Sequence, residues 1–248
     1  MVQRRSNKAV PSSTRNKPDG IGTKNQQQSV EIPNAVKVSI QSDIKVTFMQ
    51  VGSDTQLANL MVASVRKAMP DARIIQLSDM DSPEVQGIDE VIRKPYSGYL
   101  MTFRLIHLAA LRGEWITLDT DIIAKKDIRE VFSKPFDVAL TKRNGKILDA
   151  NGVNIAEIMP YNAGVMFSRN HIFWEQAYQS LMLMPESAHK WYGDQLAIRM
   201  MADSDHFNLL ELDCNTYNYT PKDADERKDV HVYHFKGNRK DWMLNGNY

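Results

Sequence analysis

Trp115-Ile116-Thr117-Leu118-Asp119-Thr120-Asp121-Ile122-Ile123 is the stretch on which the fold turns. Four apolar or β-branched residues read as a short buried strand, and that strand runs straight into two acids separated by one residue. Side chains alternate along an extended chain, so Asp119 and Asp121 fall on the same side of it. Two carboxylates about 4 Å apart repel by about 4 kcal/mol at an effective dielectric near ~20, so they share a proton or bind a cation. An oxygen-rich pair suits Mg²⁺ or Mn²⁺. In an open α/β sheet, ligands collect at the carboxyl ends of strands, which is where this pair stands. The competing reading of the tripeptide is a strand-end turn with one capping and one solvated aspartate.

Upstream of this strand the pattern alternates. A helix is predicted over 100–111, its apolar face marked by Leu100, Phe103, Ile106, Leu108 and Leu111, and Gly113 ends it. Before it come short strands over 88–92 and 73–77, and a helix over 57–69 that Asp54 is placed to cap and Pro70-Asp71 stops. The first strand, 45–51, ends at Gly52-Ser53-Asp54. Strand, helix, strand, helix, strand argues a right-handed, largely parallel α/β sheet. The second half is less regular: strands over 136–140, 161–168, 207–212 and 230–235, and helices over 172–184 and 194–202. Residues 143–159, with Gly145 and Gly152, read as a long loop or hairpin able to move as a flap over an acceptor.

Composition bounds the rest. The chain has 248 residues, 42% hydrophobic and 25% charged, enough apolar material for one sizeable soluble α/β domain. Lys+Arg 31 against Asp+Glu 30 leaves a net charge of +1, so no global field points to nucleic acid. The basic side chains are uneven: Arg4, Arg5, Lys8, Arg15, Lys17 and Lys24 face only Asp19 in the first thirty residues. Residues 1–42 are rich in Ser, Asn, Gln and Pro and bury too little to offset their ordering entropy, so they read as a disordered basic tail. That tail is a solvated arm or a contact for nucleic acid, a virion or a membrane surface. Residues 43–248 read as a single domain.

Cys214 is the single cysteine, which excludes an internal disulfide and a cysteine-held metal centre. No apolar run reaches membrane-spanning length, since the best, 99–111, is interrupted by Arg104 and His107. The polar N-terminus does not read as a secretory signal. These features together predict a cytoplasmic setting.

Near the C-terminus, His234-Phe235-Lys236-Gly237-Asn238-Arg239-Lys240-Asp241-Trp242 follows a strand. An imidazole can complete a manganese site begun by carboxylates, Gly237 lets the backbone approach an anion, and Lys240 supplies a point charge for phosphate. Alone, the segment also reads as a basic surface turn with a core-facing histidine.

The ordered set of Arg104, Leu118-Asp119-Thr120-Asp121, Tyr161-Asn162-Ala163-Gly164-Val165-Met166, Gly193-Asp194-Gln195 and His234-Phe235-Lys236-Gly237 with Lys240 and Trp242 resembles glycosyltransferase family 8. The resemblance covers about residues 45–242. It implies a GT-A fold, Rossmann-like, with a central mixed, mostly parallel sheet flanked by helices. The implied activity is transfer of a sugar from a nucleotide-diphosphate donor, with UDP the family nucleotide, to an acceptor hydroxyl with retention. By the same resemblance Asp119, Asp121 and His234 ligate Mn²⁺ or Mg²⁺ that clamps the donor diphosphate. Arg104 points towards the donor sugar, and Thr120, Asn162, Ala163 and Gly164 belong to the donor site. Asp194 and Gln195 hold sugar hydroxyls and are candidates for the catalytic face opposite the leaving group, while Asp194 also reads as a helix N-cap. Gly237 and Lys240 contact the diphosphate, and Val51-Gly52-Ser53-Asp54 cradles the nucleoside. Two features depart from the pattern. Asp241 stands where the family has proline, and only six residues follow Trp242, short of the usual acceptor-side extension.

Two other readings fit parts of the sequence. A haloacid-dehalogenase-type phosphatase also begins with a strand and DxD, with Asp223, Asp225 and Asp229 as a second acidic group. The DxD here follows two strand–helix units instead of opening the sheet, and His234, Gly237 and Lys240 have no role in that chemistry. A non-catalytic sugar-nucleotide-binding or structural protein is the third.

Overall fold

The structure, a computed structural model, describes residues 43–248 except Ser97 and Ala150. The tail reading for 1–42 falls outside the described residues. The predicted alternation of the first half is realised as β1 (Lys45–Gln50), α1 (Gln56–Ala68), β2 (Arg73–Ser78), β3 (Glu90–Arg93), α2 (Leu100–Ala110) and β4 (Trp115–Leu118). β1 pairs in parallel with β2 on one side and β4 on the other, and β3 adds in parallel to β2. Asp54 precedes the helix it was expected to cap: Thr55 is the N-cap, and Asp54 Oδ1 accepts the Gln56 N–H at 3.0 Å.

Next come β5 (Ile122–Ala124), β6 (Val138–Lys142), α3 (Ile155–Ile158), β7 (Tyr161–Ser168), α4 (His171–Met182), α5 (Glu186–His189) and α6 (Gly193–Ala202). The chain closes with β8 (Leu209–Asp213), α7 (Cys214–Tyr217), β9 (Val232–His234) and α8 (Lys240–Leu244). β7 runs antiparallel to both β4 and β6, and β8 parallel to β6, giving a mixed seven-stranded sheet in the order β3-β2-β1-β4-β7-β6-β8. β3, β6, β8 and β9 each start two residues later than their sequence suggests, and at β6 and β8 the residues left out are in aromatic packing. Phe136 stacks 5.3 Å from Phe132, under the guanidinium of Arg169. Phe207 meets Phe173 edge-on at 5.2 Å. Within 143–159, a bridge between Leu148 and Asn154 and the short α3 give a hairpin-like excursion, tied down by Arg199 donating to the carbonyls of Glu157 and Ile158.

Alternation along the strands divides the core into two layers. Val46, Phe48, Ile74, Ile116, Leu118, Val165 and Phe167 face one side, where α1 lays down Ala58, Met61, Val62 and Val65. Ile75, Leu77, Trp115, Val138, Leu140 and Met166 face the other, covered by residues of α2, α4 and α6 such as Leu105, Trp174 and Ile198. Helices on both faces explain why the central strands are buried throughout instead of alternating with solvent. From β1 the chain first builds outward to β2 and β3, then crosses back to add β4 on β1's other side. That reversal opens a crevice at the carboxyl ends of β1 and β4, the switch point at which open α/β sheets bind ligands.

Candidate active site

A cavity of about 680 Å³ occupies this crevice. Val51 and Asp54 reach it from the end of β1, Arg104 from α2, Asp119, Thr120 and Asp121 from the turn after β4, and Asn162, Ala163 and Gly164 from β7. Asp194 and Gln195 enter from the first turn of α6, and His234, Gly237 and Lys240 from the segment after β9. Of the expected residues, Gly52 and Ser53 do not line it; the Gly52 N–H instead donates to Ser82 Oγ at 2.7 Å. Asp223, Asp225 and Asp229 are exposed on the loop before β9 and do not line the cavity, so the phosphatase reading lacks its second acidic group.

His234 lies 113 residues beyond Asp121 yet reaches it through a two-stranded sheet. β5 pairs antiparallel with β9, Ile122 opposite His234, and the Phe235 N–H donates to the Asp121 carbonyl at 2.8 Å. The His234 Nε2 then stands 3.0 Å from Asp121 Oδ1 and 3.7 Å from Asp119 Oδ2. One ligand atom from each of the three residues lies within 4.8 Å of the others. Gly164 makes this approach sterically feasible, since a Cβ there would overlap the imidazole and sit 2.9 Å from Asn162 Oδ1.

A buried relay fixes the imidazole. The Gly164 N–H donates to Asn162 Oδ1 at 2.9 Å, and a backbone amide can only donate, so that atom is the carbonyl oxygen. Asn218, fully buried, therefore turns its amide nitrogen to the same oxygen at 2.8 Å and to Thr141 Oγ1 at 2.7 Å. Its oxygen is left to accept from His234 Nδ1 at 2.7 Å. In neutral His234 the proton thus sits on Nδ1, and the Nε2 lone pair faces two carboxylates that have no proton to offer it. A cation between these three groups resolves that conflict, and two carboxylates with an imidazole nitrogen form a donor set suited to Mn²⁺. Burial alone would raise the Asp121 carboxyl, but His234 in its doubly protonated form, charged and donating from Nε2, and then the Lys240 ammonium, 3.4 Å away, hold it well below the usual carboxylate range; a metal ion takes the place of that second proton.

Arg104 is no surface residue. It is buried, with Nη2 at 2.6 Å from Asp119 Oδ1 and also donating to the Ala163 carbonyl, and Nη1 at 3.5 Å from Asp194 Oδ2. It braces the first metal-type carboxylate against the start of α6. Asp194 is fully buried in the first helical turn, Tyr192 being the N-cap, and its Oδ1 accepts the Gln195 N–H at 2.8 Å. Burial raises its carboxyl to about 6 despite the opposing Arg104. Asp241, in the family's proline position, falls in the first turn of α8, where an acid suits the helix dipole.

Several lining residues carry no role in the sequence reading. Gln50 donates from Nε2 to the carbonyls of Gly52 and Asp54 at 3.1 and 2.9 Å, shaping the loop after β1. Arg143 donates to Gln195 Oε1 at 2.7 Å, and since a guanidinium only donates, the Gln195 amide oxygen faces it. Trp191 stands 77% exposed at the rim, an apolar face turned to solvent. Lys236 lines the interior, and burial lowers its ammonium from the ordinary lysine value. Asn218 touches the site only through His234 and Asn162. A lone Asn between two tyrosines gives no local signal, whereas Arg143 and Lys236 were legible as charges at strand ends.

With this geometry, the molecule has the GT-A glycosyltransferase-like fold, a mixed, mostly parallel sheet with flanking helices. Among solved structures it is similar to the glycosyltransferase GlyE of Streptococcus pneumoniae TIGR4, with TM-score 0.56 and 15% identity over 82% of this chain and 63% of that one. It is likewise similar to the galactosyltransferase LgtC in complex with donor and acceptor sugar analogs, with TM-score 0.51 and 15% identity over 82% of this chain and 95% of that one. The bifunctional glycosyltransferase WbbM gives TM-score 0.52 at 12% identity over 86% of this chain and 51% of its own. The chain thus spans less than two thirds of GlyE, and at these identities the likeness is one of fold. No protein-family model matches the chain, and no curated protein matches its sequence. Among the described residues, no helix is long and apolar enough to cross a membrane.

Proposed function

We propose that this protein is a metal-dependent glycosyltransferase that moves a sugar from a nucleoside-diphosphate donor, with UDP as the nucleotide, to an acceptor hydroxyl with retention. The observation that carries the reading is the convergence of Asp119, Asp121 and the Nε2 of His234 in a switch-point cavity of about 680 Å³, large enough for a nucleotide sugar. Mn²⁺ or Mg²⁺ held by these three residues would supply Lewis-acid stabilisation of the leaving diphosphate.

The chain's own groups do the remainder. Lys240 brings an ammonium beside Asp121 and Gly237 opens its backbone to the cavity, so both favour the charge that accumulates on the diphosphate. The bond from the sugar to the diphosphate oxygen breaks with its electron pair staying on phosphate. The acceptor oxygen bonds to the same carbon, and its proton passes to the departing phosphate. Asp194 and Gln195 orient the sugar hydroxyls and are the candidates for the face opposite the leaving group; Arg104 and the Gln195 amide fix the Asp194 carboxylate, and Arg143 fixes Gln195 Oε1.

Purified protein incubated with UDP-glucose or UDP-galactose and Mn²⁺ should release UDP. Chelation should stop the release, and Asp121→Asn should cut it by about two orders of magnitude. Metal-independent release, or hydrolysis of a simple phosphomonoester in its place, would contradict the proposal.

A further inference from the structure

Four cationic side chains line the cavity: Arg104, Arg143, Lys236 and Lys240. Two are neutralised, Arg104 by Asp119 and Asp194, and Lys240 by Asp121. The other two have no carboxylate partner among the described residues. Arg143 gives three of its five N–H donors to neutral oxygens, the carbonyls of Met159 and Tyr161 and Gln195 Oε1, and keeps two ungiven. Among the described residues, the Lys236 side chain forms no hydrogen bond and no ion pair. Its direction is set by the strand that precedes it: Phe235 is turned into the core at 1% exposure, so Lys236 points to the cavity side with His234.

A half-buried cation without a counter-charge is costly, and a second one beside it adds repulsion. The site's own carboxylates relieve them only at a distance: Asp119 and Asp121 act on Lys236 and Asp194 on Arg143 through charge without contact, burial still lowers both cations, and the three acids are in contact with Arg104, Lys240 and His234 instead. The ligand group that does relieve them is an anion. The diphosphate is accounted for on the Asp121–Lys240 side, whereas Arg143 is tied to Gln195 at the start of α6, the side assigned to the sugar hydroxyls.

We infer that the cavity takes a substrate bearing a second anionic group, a carboxylate or phosphate distinct from the donor diphosphate, which docks between Lys236 and Arg143. The inference rests on the glycosyl-transfer reading and narrows it: either the transferred sugar is acidic, as a uronic acid is, or the acceptor carries the anion next to its reacting hydroxyl. Trp191 at the rim offers a flat apolar face for a sugar ring leading into this anion site.

Calorimetric titration of the full chain with Mn²⁺ separates the two sources. One arm compares UDP-glucuronate with UDP-glucose and UDP-galacturonate with UDP-galactose. The other titrates glucose 6-phosphate against glucose, and galactose 6-phosphate against galactose, into protein saturated with UDP. The expected result is about tenfold tighter binding of the anionic member in one arm, which names the source. Lys236→Met should erase that preference while UDP alone keeps its affinity within about twofold. No preference in either arm overturns the inference. So does a Lys236→Met variant that loses UDP itself as strongly as the sugar-bearing ligand, which makes Lys236 a diphosphate contact. Failure to bind UDP at all overturns the functional reading, and this inference with it.

Discussion

Replacing Asn218 by leucine isolates the relay that orients His234. The two side chains share one branched skeleton, so the substitution removes three hydrogen bonds at a fully buried position, and its methyls push back neighbours that now stand 2.7–2.8 Å away. Two of the orphaned groups keep another partner: Asn162 Oδ1 still accepts the Gly164 N–H at 2.9 Å, and Thr141 Oγ1 still donates to the Asn162 carbonyl at 3.0 Å. Only the His234 Nδ1–H is left buried without an acceptor, a loss of about 1–3 kcal/mol in stability. The imidazole is then free to rotate or exchange tautomers, and Mn²⁺ affinity should fall by about ten- to a hundredfold, as for other groups that orient a metal-binding histidine. Manganese titration followed by electron paramagnetic resonance measures the affinity, and thermal melting measures the stability. Nitrogen-15 NMR of the metal-free wild type at alkaline pH should report the proton on Nδ1. A wild-type His234 protonated on Nε2, or a folded Asn218→Leu variant with unaltered Mn²⁺ affinity, would refute the reasoning.

Three further outcomes follow from single features. Gly164→Ala should displace His234, since the added methyl overlaps the imidazole, and so weaken Mn²⁺ binding by more than about tenfold while melting shows a loss of about 1–3 kcal/mol. Arg104→Met leaves Asp194 buried beside no cation, so urea titration should show about 3–5 kcal/mol of destabilisation at neutral pH, with Asp194→Asn in the same background recovering part of it. His107 is 1% exposed, and burial together with the Lys94 charge pushes it down to about 4, outweighing the Ser78 backbone that favours the charged ring. The folded state therefore binds fewer protons than the unfolded chain, so its contribution is present above pH ~6.5 and lost as pH falls towards 4, by about 3 kcal/mol in all. His107→Leu should flatten that part of the acid stability profile; an unchanged profile would show that the imidazole is not desolvated.

Much of the frame was legible in sequence because the signals are local. Short strands of four to six residues and helices with a clear apolar face placed β1 to β4 within a few residues, and the DxD placed the crevice. Strand direction is a tertiary property, so nothing in 161–168 marks it as running against β4. β5 spans only three residues, too short for periodicity to register, and the strand read over 230–235 carries no mark of its partner, yet the pairing of β5 with β9 is what carries His234 to Asp121. The relay was invisible for the same reason: Asn162, Gly164 and Asn218 act through contacts 56 residues apart in the chain. Gly164 was read as part of a donor-binding segment, and the structure adds that the imidazole needs the space a side chain would fill.

One cation site, at Asp119, Asp121 and His234, carries the proposed chemistry. Crystals grown with Mn²⁺ and UDP, measured at the manganese absorption edge, test it most directly. The account predicts an anomalous peak bounded by Asp119, Asp121 and His234 Nε2, with the diphosphate against it and Lys240 on the far side. UDP seated in the cavity with no peak at those three residues, or manganese bound elsewhere on the chain, would contradict it.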